Sequence, residues 1–182
     1  MKCTMVGCKL VIISGIDGDF TEFDSSIGGL LNCRNLLKIS YDRTLTFVQN
    51  IEVMRLMIEQ DYEKCIIVGW SIGAVAAAFL AGCTNVKAII MINAFFSRSK
   101  VLARRNIYCD EEVSISSTTK QLVEYTIIAG KMDDKILYEE SERIVNYYNL
   151  SSDSFELFPD AKHNLKSFPK GQIANIINRH TA

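Results

Sequence analysis

Between Lys64 and Gly82 the chain passes from an apolar strand through a Gly-x-Ser-x-Gly turn into an alanine-rich helix. The residues are Lys64-Cys-Ile-Ile-Val-Gly-Trp-Ser-Ile-Gly73, followed directly by Ala74-Val-Ala-Ala-Ala-Phe-Leu-Ala-Gly82. So short a passage from strand to helix needs a tight backbone, and Gly69 and Gly73 keep side chains out of the crowded turn. Ser71 at its apex has its Oγ lifted out at the carboxyl end of a sheet. The helix that follows aims its unpaired N–H groups and its positive end at the same place, which makes the Ile72 N–H a donor for negative charge developing there.

Apolar runs of this kind recur along the whole chain: Leu10 to Ser14, Leu36 to Ser40, Cys65 to Val68, Ala88 to Ile92, Tyr125 to Ala129 and Phe155 to Phe158. They are continuous rather than alternating, so both faces of each strand are expected to be buried, as in a parallel sheet covered by helices. Helical periodicity falls between them, at about Thr46 to Gln60, Ile72 to Ala81, Tyr138 to Tyr148 and Phe168 to Arg179. Ile51, Met54, Met57 and Ile58 form one apolar stripe that is packing material. The reading is a three-layer α/β fold, a mainly parallel sheet of about six strands with helices on both faces. At 182 residues, 48% of them hydrophobic, the chain is read as a single domain, 1–182. The rhythm breaks once, at 97–120, where a short lid or insertion, or a plain surface helix and loop, is expected over the strand ends.

Twenty basic side chains against twenty-one acidic ones give a net charge of -1, which provides no field for nucleic acid or an anionic membrane. A small neutral or locally charged substrate fits better. The six cysteines form no C-x-x-C pair and there are two histidines, so no metal-ligand spacing occurs and reduced thiols are expected. The N-terminal run lacks the pattern of a secretory signal and no segment is long enough to span a bilayer, hence the expectation of a soluble cytoplasmic protein.

After Ser71, the strand Thr126-Ile-Ile-Ala-Gly130 leads into Lys131-Met-Asp133-Asp134. A carboxylate just past a buried parallel strand lies on the same sheet edge as the serine, which selects Asp133 as the acid and leaves Asp134 in reserve; for either, a helix cap is the competing reading. His163, on the loop after the last strand, is placed to reach that edge as general base and acid. His180 lies three residues from the C-terminus, where fraying is expected. A second oxyanion donor is assigned to the Ile16 N–H in the loop Ser14-Gly15-Ile16-Asp17-Gly18-Asp19, with a plain turn as the alternative. Calcium binding by Asp17, Asp19 and Asp24 fails for lack of the required spacing.

Together these parts resemble the α/β-hydrolase superfamily over almost the whole chain, Leu10 to Ile177. The matching pieces are Gly15-Ile16, Gly69-Trp-Ser-Ile-Gly73, Gly130-Lys-Met-Asp133 and His163. The chain departs from the pattern in carrying Ser14 where a histidine usually precedes the oxyanion glycine, in Asp42-Arg-Thr-Leu-Thr46 without the usual glycines, and in lacking a large cap. The resemblance implies a serine hydrolase that cleaves an ester or thioester through an acyl-enzyme, with no cofactor. Trp70, Phe95 and Phe96 are expected to line a shallow acyl site with Ile16. Trp70 and Ile72 around the serine look like carboxylesterases acting on pimeloyl acyl carrier protein esters in biotin synthesis. On that likeness Arg98, Lys100, Arg104 and Arg105 meet an acyl carrier protein, or else form an ordinary solvated face. Acyl transfer on the same residues, and a binding module without turnover, remain the alternatives.

Overall fold

The computed structural model describes residues 8–33, 35–61, 63–97, 113–118 and 120–181. Six strands form one sheet: β1 (Lys9–Ile13), β2 (Leu36–Ile39), β3 (Cys65–Trp70), β4 (Val86–Ile92), β5 (Glu124–Gly130) and β6 (Phe155–Phe158). Their order is β2-β1-β3-β4-β5-β6, and every neighbouring pair is parallel. The α-helices among the described residues are α1 (Thr21–Ser26), α2 (Phe47–Glu59), α3 (Ile72–Leu80), α4 (Tyr138–Tyr147) and α5 (Gln172–Thr181). The α/β architecture with a parallel six-stranded sheet is therefore as the sequence leads one to expect.

The continuous apolar runs are explained by two cores, one on each sheet face. Val11, Ile13, Cys65, Ile67, Ile89 and Met91 point into a core shared with Met54 and Ile58 of α2, the alanines of α3 and Ile144 of α4. Their strand neighbours Leu10, Ile12, Ile66, Val68 and Ile90 point the other way, against Phe23 of α1 and Ile173, Ile176 and Ile177 of α5. Alternate side chains of the central strands thus enter opposite cores, whereas edge strand β2 exposes Leu36 and Lys38. Helix α3 is buried over nearly its whole length, Ile72 to Ala78 and again Leu80, and its small residues let it sit close against the sheet.

Local signals set the helix ends. Thr46 caps α2 in a reciprocal box: its hydroxyl accepts the Gln49 N–H, and the Gln49 side chain accepts the Thr46 N–H. The last helix starts at Gln172, four residues later than periodicity suggests, because Phe168 precedes Pro169 and is held extended at ψ 148°. Residues Leu165–Ser167 instead make a single tight turn, and Gly171 turns the chain with φ +80°. Helix α1 has no periodic signature, being only six residues long; its start is fixed by Asp19, whose carboxylate accepts both the Thr21 N–H and hydroxyl. Of the expected lid, 98–112 and 119 lie outside the described residues; Ser97 and Ser114 pair in an antiparallel bridge at its base. No described helix is long and apolar enough to cross a membrane.

Candidate active site at the carboxyl edge of the sheet

Because all six strands run the same way, the residues after β1, β3, β4, β5 and β6 gather at one edge. Ser71 follows β3 directly. Its N–H still belongs to the sheet, donating to Ile92 O at 2.9 Å, and its carbonyl already begins α3 by accepting the Ala74 N–H. Serving both elements at once forces φ 58° and ψ -121°, a conformation a residue with a Cβ rarely adopts. The crowding is measurable at the glycines. A Cβ on Gly69 would lie 2.2 Å from Gly73 O, and one on Gly73 would lie 2.3 Å from Ser14 O.

Asp133 stands three residues past the end of β5 and is 3% exposed. One carboxylate oxygen, Oδ1, accepts the Lys135 and Ile136 N–H groups at 2.8 and 2.9 Å, and the other, Oδ2, meets His163 Nδ1 at 2.8 Å. The first oxygen thus closes a local turn ahead of α4, whose own N-cap, Leu137, has no side-chain cap bond, and the second faces the imidazole. Asp134 is exposed to solvent. His163 is nearly buried on the loop after β6, with its Nδ1 taken by Asp133 and its Nε2 unpaired among the described residues. The Ser71 hydroxyl, half-buried, likewise has no hydrogen-bond partner among the described residues. Gly130 lets the acid turn touch the histidine loop, since a Cβ there would lie 2.5 Å from Ala161 O. Two further bonds lace these loops together, Lys131 N–H to Phe158 O and Met132 N–H to Ala161 O, each 2.9 Å.

The loop after β1 closes the site from the other side. Ile13 is in register with Gly69, so the next residues run beside the serine turn. A Cβ on Gly15 would be 3.8 Å from the Ser71 Cβ. Neither the Ile16 nor the Ile72 N–H has an acceptor among the described residues, which leaves both available as donors. The loop is braced by residues whose part the sequence did not reveal. Ser14 Oγ donates to Gly15 O and accepts the Tyr41 N–H, each at 3.1 Å. Arg43 Nε donates to Ile16 O at 2.6 Å while its guanidinium pairs with Asp17. A polar side chain followed by a short loop is weak evidence for such bracing, and only the packing of β2 beside β1 brings these groups together.

The expected acyl-site aromatics divide. Trp70 is half-buried and braces the histidine loop, its indole Nε1 donating to His163 O at 3.0 Å with the two rings 5.6 Å apart. Phe95, expected to line the acyl site, is 2% exposed and belongs to the core, so it offers little surface to a ligand. Phe96 is half-buried, with Tyr147 at its edge and the Arg143 guanidinium over its face. Its N–H and that of Ser97 donate to Glu140 Oε2, so the chain entering the expected lid is anchored to α4. Arg98, Lys100, Arg104 and Arg105 lie outside the described residues.

His180 has partners in the structure. It lies within α5, where Nε2 meets Thr126 Oγ1 at 3.1 Å and Nδ1 meets Glu124 Oε2 at 3.0 Å, because Thr126 and Glu124 face the helix from the start of β5. That places it at the opposite end of the strands from Ser71, beside a cleft of about 570 Å³. No group of three or more potential metal ligands occurs among the described residues.

No family sequence model matches the chain, and no curated protein matches it. Solved structures do. An esterase domain from a Rhodothermus marinus protein superposes with TM-score 0.71 at 14% identity, covering 99% of this chain and 88% of its own. A monoacylglycerol lipase from Paleococcus ferrophilus gives 0.70 at 11% identity, covering 96% and 95%. The thioesterase domain from the curacin biosynthetic pathway gives 0.64 at 11%, covering 94% and 91%. Such identities speak for architecture alone. With its parallel six-stranded sheet, and superposing on these structures over nearly its whole length, the chain has the α/β-hydrolase fold.

Proposed function

We propose that this chain is a serine hydrolase that cleaves a carboxylic ester or thioester through an acyl-enzyme. The observation that carries the reading is the strained Ser71 turn at the same sheet edge as a nearly buried imidazole whose Nδ1 is bonded to Asp133. In the proposed reaction the Ser71 Oγ attacks the acyl carbon and its proton passes to His163 Nε2. The resulting imidazolium is held by the Asp133 carboxylate, and the oxyanion accepts from the Ile16 and Ile72 N–H groups. When the tetrahedral species collapses, His163 returns the proton to the departing alcohol or thiol. Water then attacks the acyl-enzyme, gives a proton to His163, and Ser71 leaves with that proton as the acid is released. The esterase, lipase and thioesterase names of structures sharing the fold agree with this chemistry.

A carrier-linked acyl group as substrate rests on the basic residues between 98 and 105, and its test is salt-sensitive preference for carrier-bound over free ester. The reaction class itself is tested with a fluorophosphonate probe. Covalent labelling of Ser71, abolished in Ser71→Ala and slowed in His163→Ala, is the expected result. A folded wild-type protein that stays unlabelled under conditions where a control esterase reacts would leave a binding module as the reading.

A further inference from the structure

Asn93 follows β4, the strand between the one that carries Ser71 and the one that leads to Asp133. It is 2% exposed and sits in the left-handed region at φ 48°, which asparagine tolerates better than most residues. Its own N–H continues the sheet, donating to Ile128 O at 2.8 Å. The side chain is fully engaged. Oδ1 accepts the Gly130 N–H at 2.9 Å, and Nδ2 donates to Lys162 O at 3.2 Å and His163 O at 3.0 Å. One buried amide therefore grips the root of the acid turn with its acceptor and the backbone of the base with its donors. His163 O receives a second bond from Trp70 Nε1, on the residue before the serine.

We infer that Asn93 is a positioning residue which sets the His163 imidazole between Asp133 and Ser71; the inference rests on the proposed triad. The physical case is one of directions. The Asp133–His163 bond fixes the ring only if the two loops keep their separation, and few backbone bonds join those loops directly. A primary amide is the side chain able to accept from one loop and donate to the other from adjacent atoms. An isosteric carboxylate keeps the acceptor but turns the donor into an oxygen facing two carbonyl oxygens, all buried, so it should push the histidine loop away. Glycine accepts the backbone conformation without strain and removes all three bonds.

The test compares wild type with Asn93→Gly and Asn93→Asp, reading kcat and KM on a p-nitrophenyl ester and the proton resonance of the imidazole Nδ1–H. That resonance is assigned by its loss in His163→Gln. The expected result is a fall in kcat of roughly 10²-fold with KM within about threefold, the scale of an ångström-sized misplacement. The Nδ1–H signal should move upfield or broaden in both variants. If Asn93→Gly does not fold, Asn93→Asp carries the comparison, since it keeps the shape and the bond to Gly130. Folded variants with wild-type kcat and an unmoved Nδ1–H signal would overturn the inference, as would a rise in KM alone. Should Ser71→Ala retain esterase activity, the triad reading fails by itself, while the imidazole resonance still reports whether Asn93 holds the ring.

Discussion

His163 Nδ1 and Asp133 Oδ2 lie 2.8 Å apart, and the other oxygen of that carboxylate is bound by two N–H groups of its own turn. The Asp133 carboxylate is thereby fixed from behind before it meets the imidazole. A carboxylate free to rotate would offer either oxygen to the ring; this one offers a single oxygen in a single direction. The bond also specifies the tautomer, with the proton on Nδ1 and the lone pair of Nε2 directed away from Asp133. Preorganisation of this kind is what the proposed proton transfer requires, because nothing then needs to reorganise when the imidazole becomes charged.

On the proposed mechanism, Ser71 is where stability and chemistry are in opposition. Ser71→Ala should keep the fold and lower ester hydrolysis by about 10⁴-fold or more, since the covalent route is lost. Ser71→Gly should lose activity equally and yet be the more stable of the two by about 1–2 kcal/mol, because glycine relieves φ 58°, ψ -121°. Urea unfolding of both variants checks this. A glycine variant no more stable than the alanine one would mean that the turn stores no strain.

Asp133→Asn should reduce kcat by about 10³–10⁴-fold, because an amide gives the imidazolium no countercharge and disturbs its tautomer. The same change removes little from the turn, since an amide oxygen can still accept the Lys135 and Ile136 N–H groups, so unfolding should shift only modestly. Asp134→Asn, on an exposed side chain, should change neither quantity appreciably. Steady-state kinetics of the two variants side by side decide between them.

The parts of this molecule that were legible in the sequence are those governed by local pattern. Continuous apolar runs announced a doubly covered parallel sheet, and the two glycines around Ser71 announced a turn with no room for side chains, which the 2.2 and 2.3 Å approaches to Gly69 and Gly73 explain. Chain order also singled out Asp133 and His163, whose side chains lie 2.8 Å apart. What stayed hidden depends on strand neighbours distant in sequence. Asn93 looks like any polar residue after a strand until β4 is placed between β3 and β5. Arg43 is one cation among many until β2 lies beside β1. His180, with its Thr126 and Glu124 partners, was concealed for the same reason, because helix α5 crosses back to the start of β5.

That last contact gives a clean separation of roles. His180→Ala removes two hydrogen bonds at the end of the sheet remote from Ser71, so a loss of about 1 kcal/mol in stability is expected with kcat and KM unchanged. His163→Ala should do the converse, cutting turnover severely with a smaller effect on unfolding than on rate. Equal kinetic losses in the two variants would show that the base has been misassigned.

Alkaline stability provides a test that is independent of any substrate. Burial pushes the thiol of Cys65, at the start of β3, from its ordinary value of 9.0 up to about 12, and that of Cys83 up to about 11. Desolvation likewise raises the Tyr148 phenol from 10.0 to about 12. The folded state therefore holds these protons where the unfolded chain has released them. Their contribution to stability is complete below pH 9 and is lost as pH climbs toward 11 and 12. For Cys65, fully buried, the loss should reach about 2–3 kcal/mol by pH 11, near 1.4 kcal/mol for each pH unit. Urea unfolding at pH 8, 9, 10 and 11 should show Cys65→Ala less stable than wild type at pH 8, by the lost packing, and the two curves drawing together as pH rises. Parallel curves would mean that the Cys65 thiol does not stay protonated in the folded protein. At pH 8 the same burial predicts that Cys65 and Cys83 resist a disulfide reagent in the native state while half-exposed Cys8 and Cys33 react, and rapid native labelling of Cys65 would contradict its place beneath the sheet.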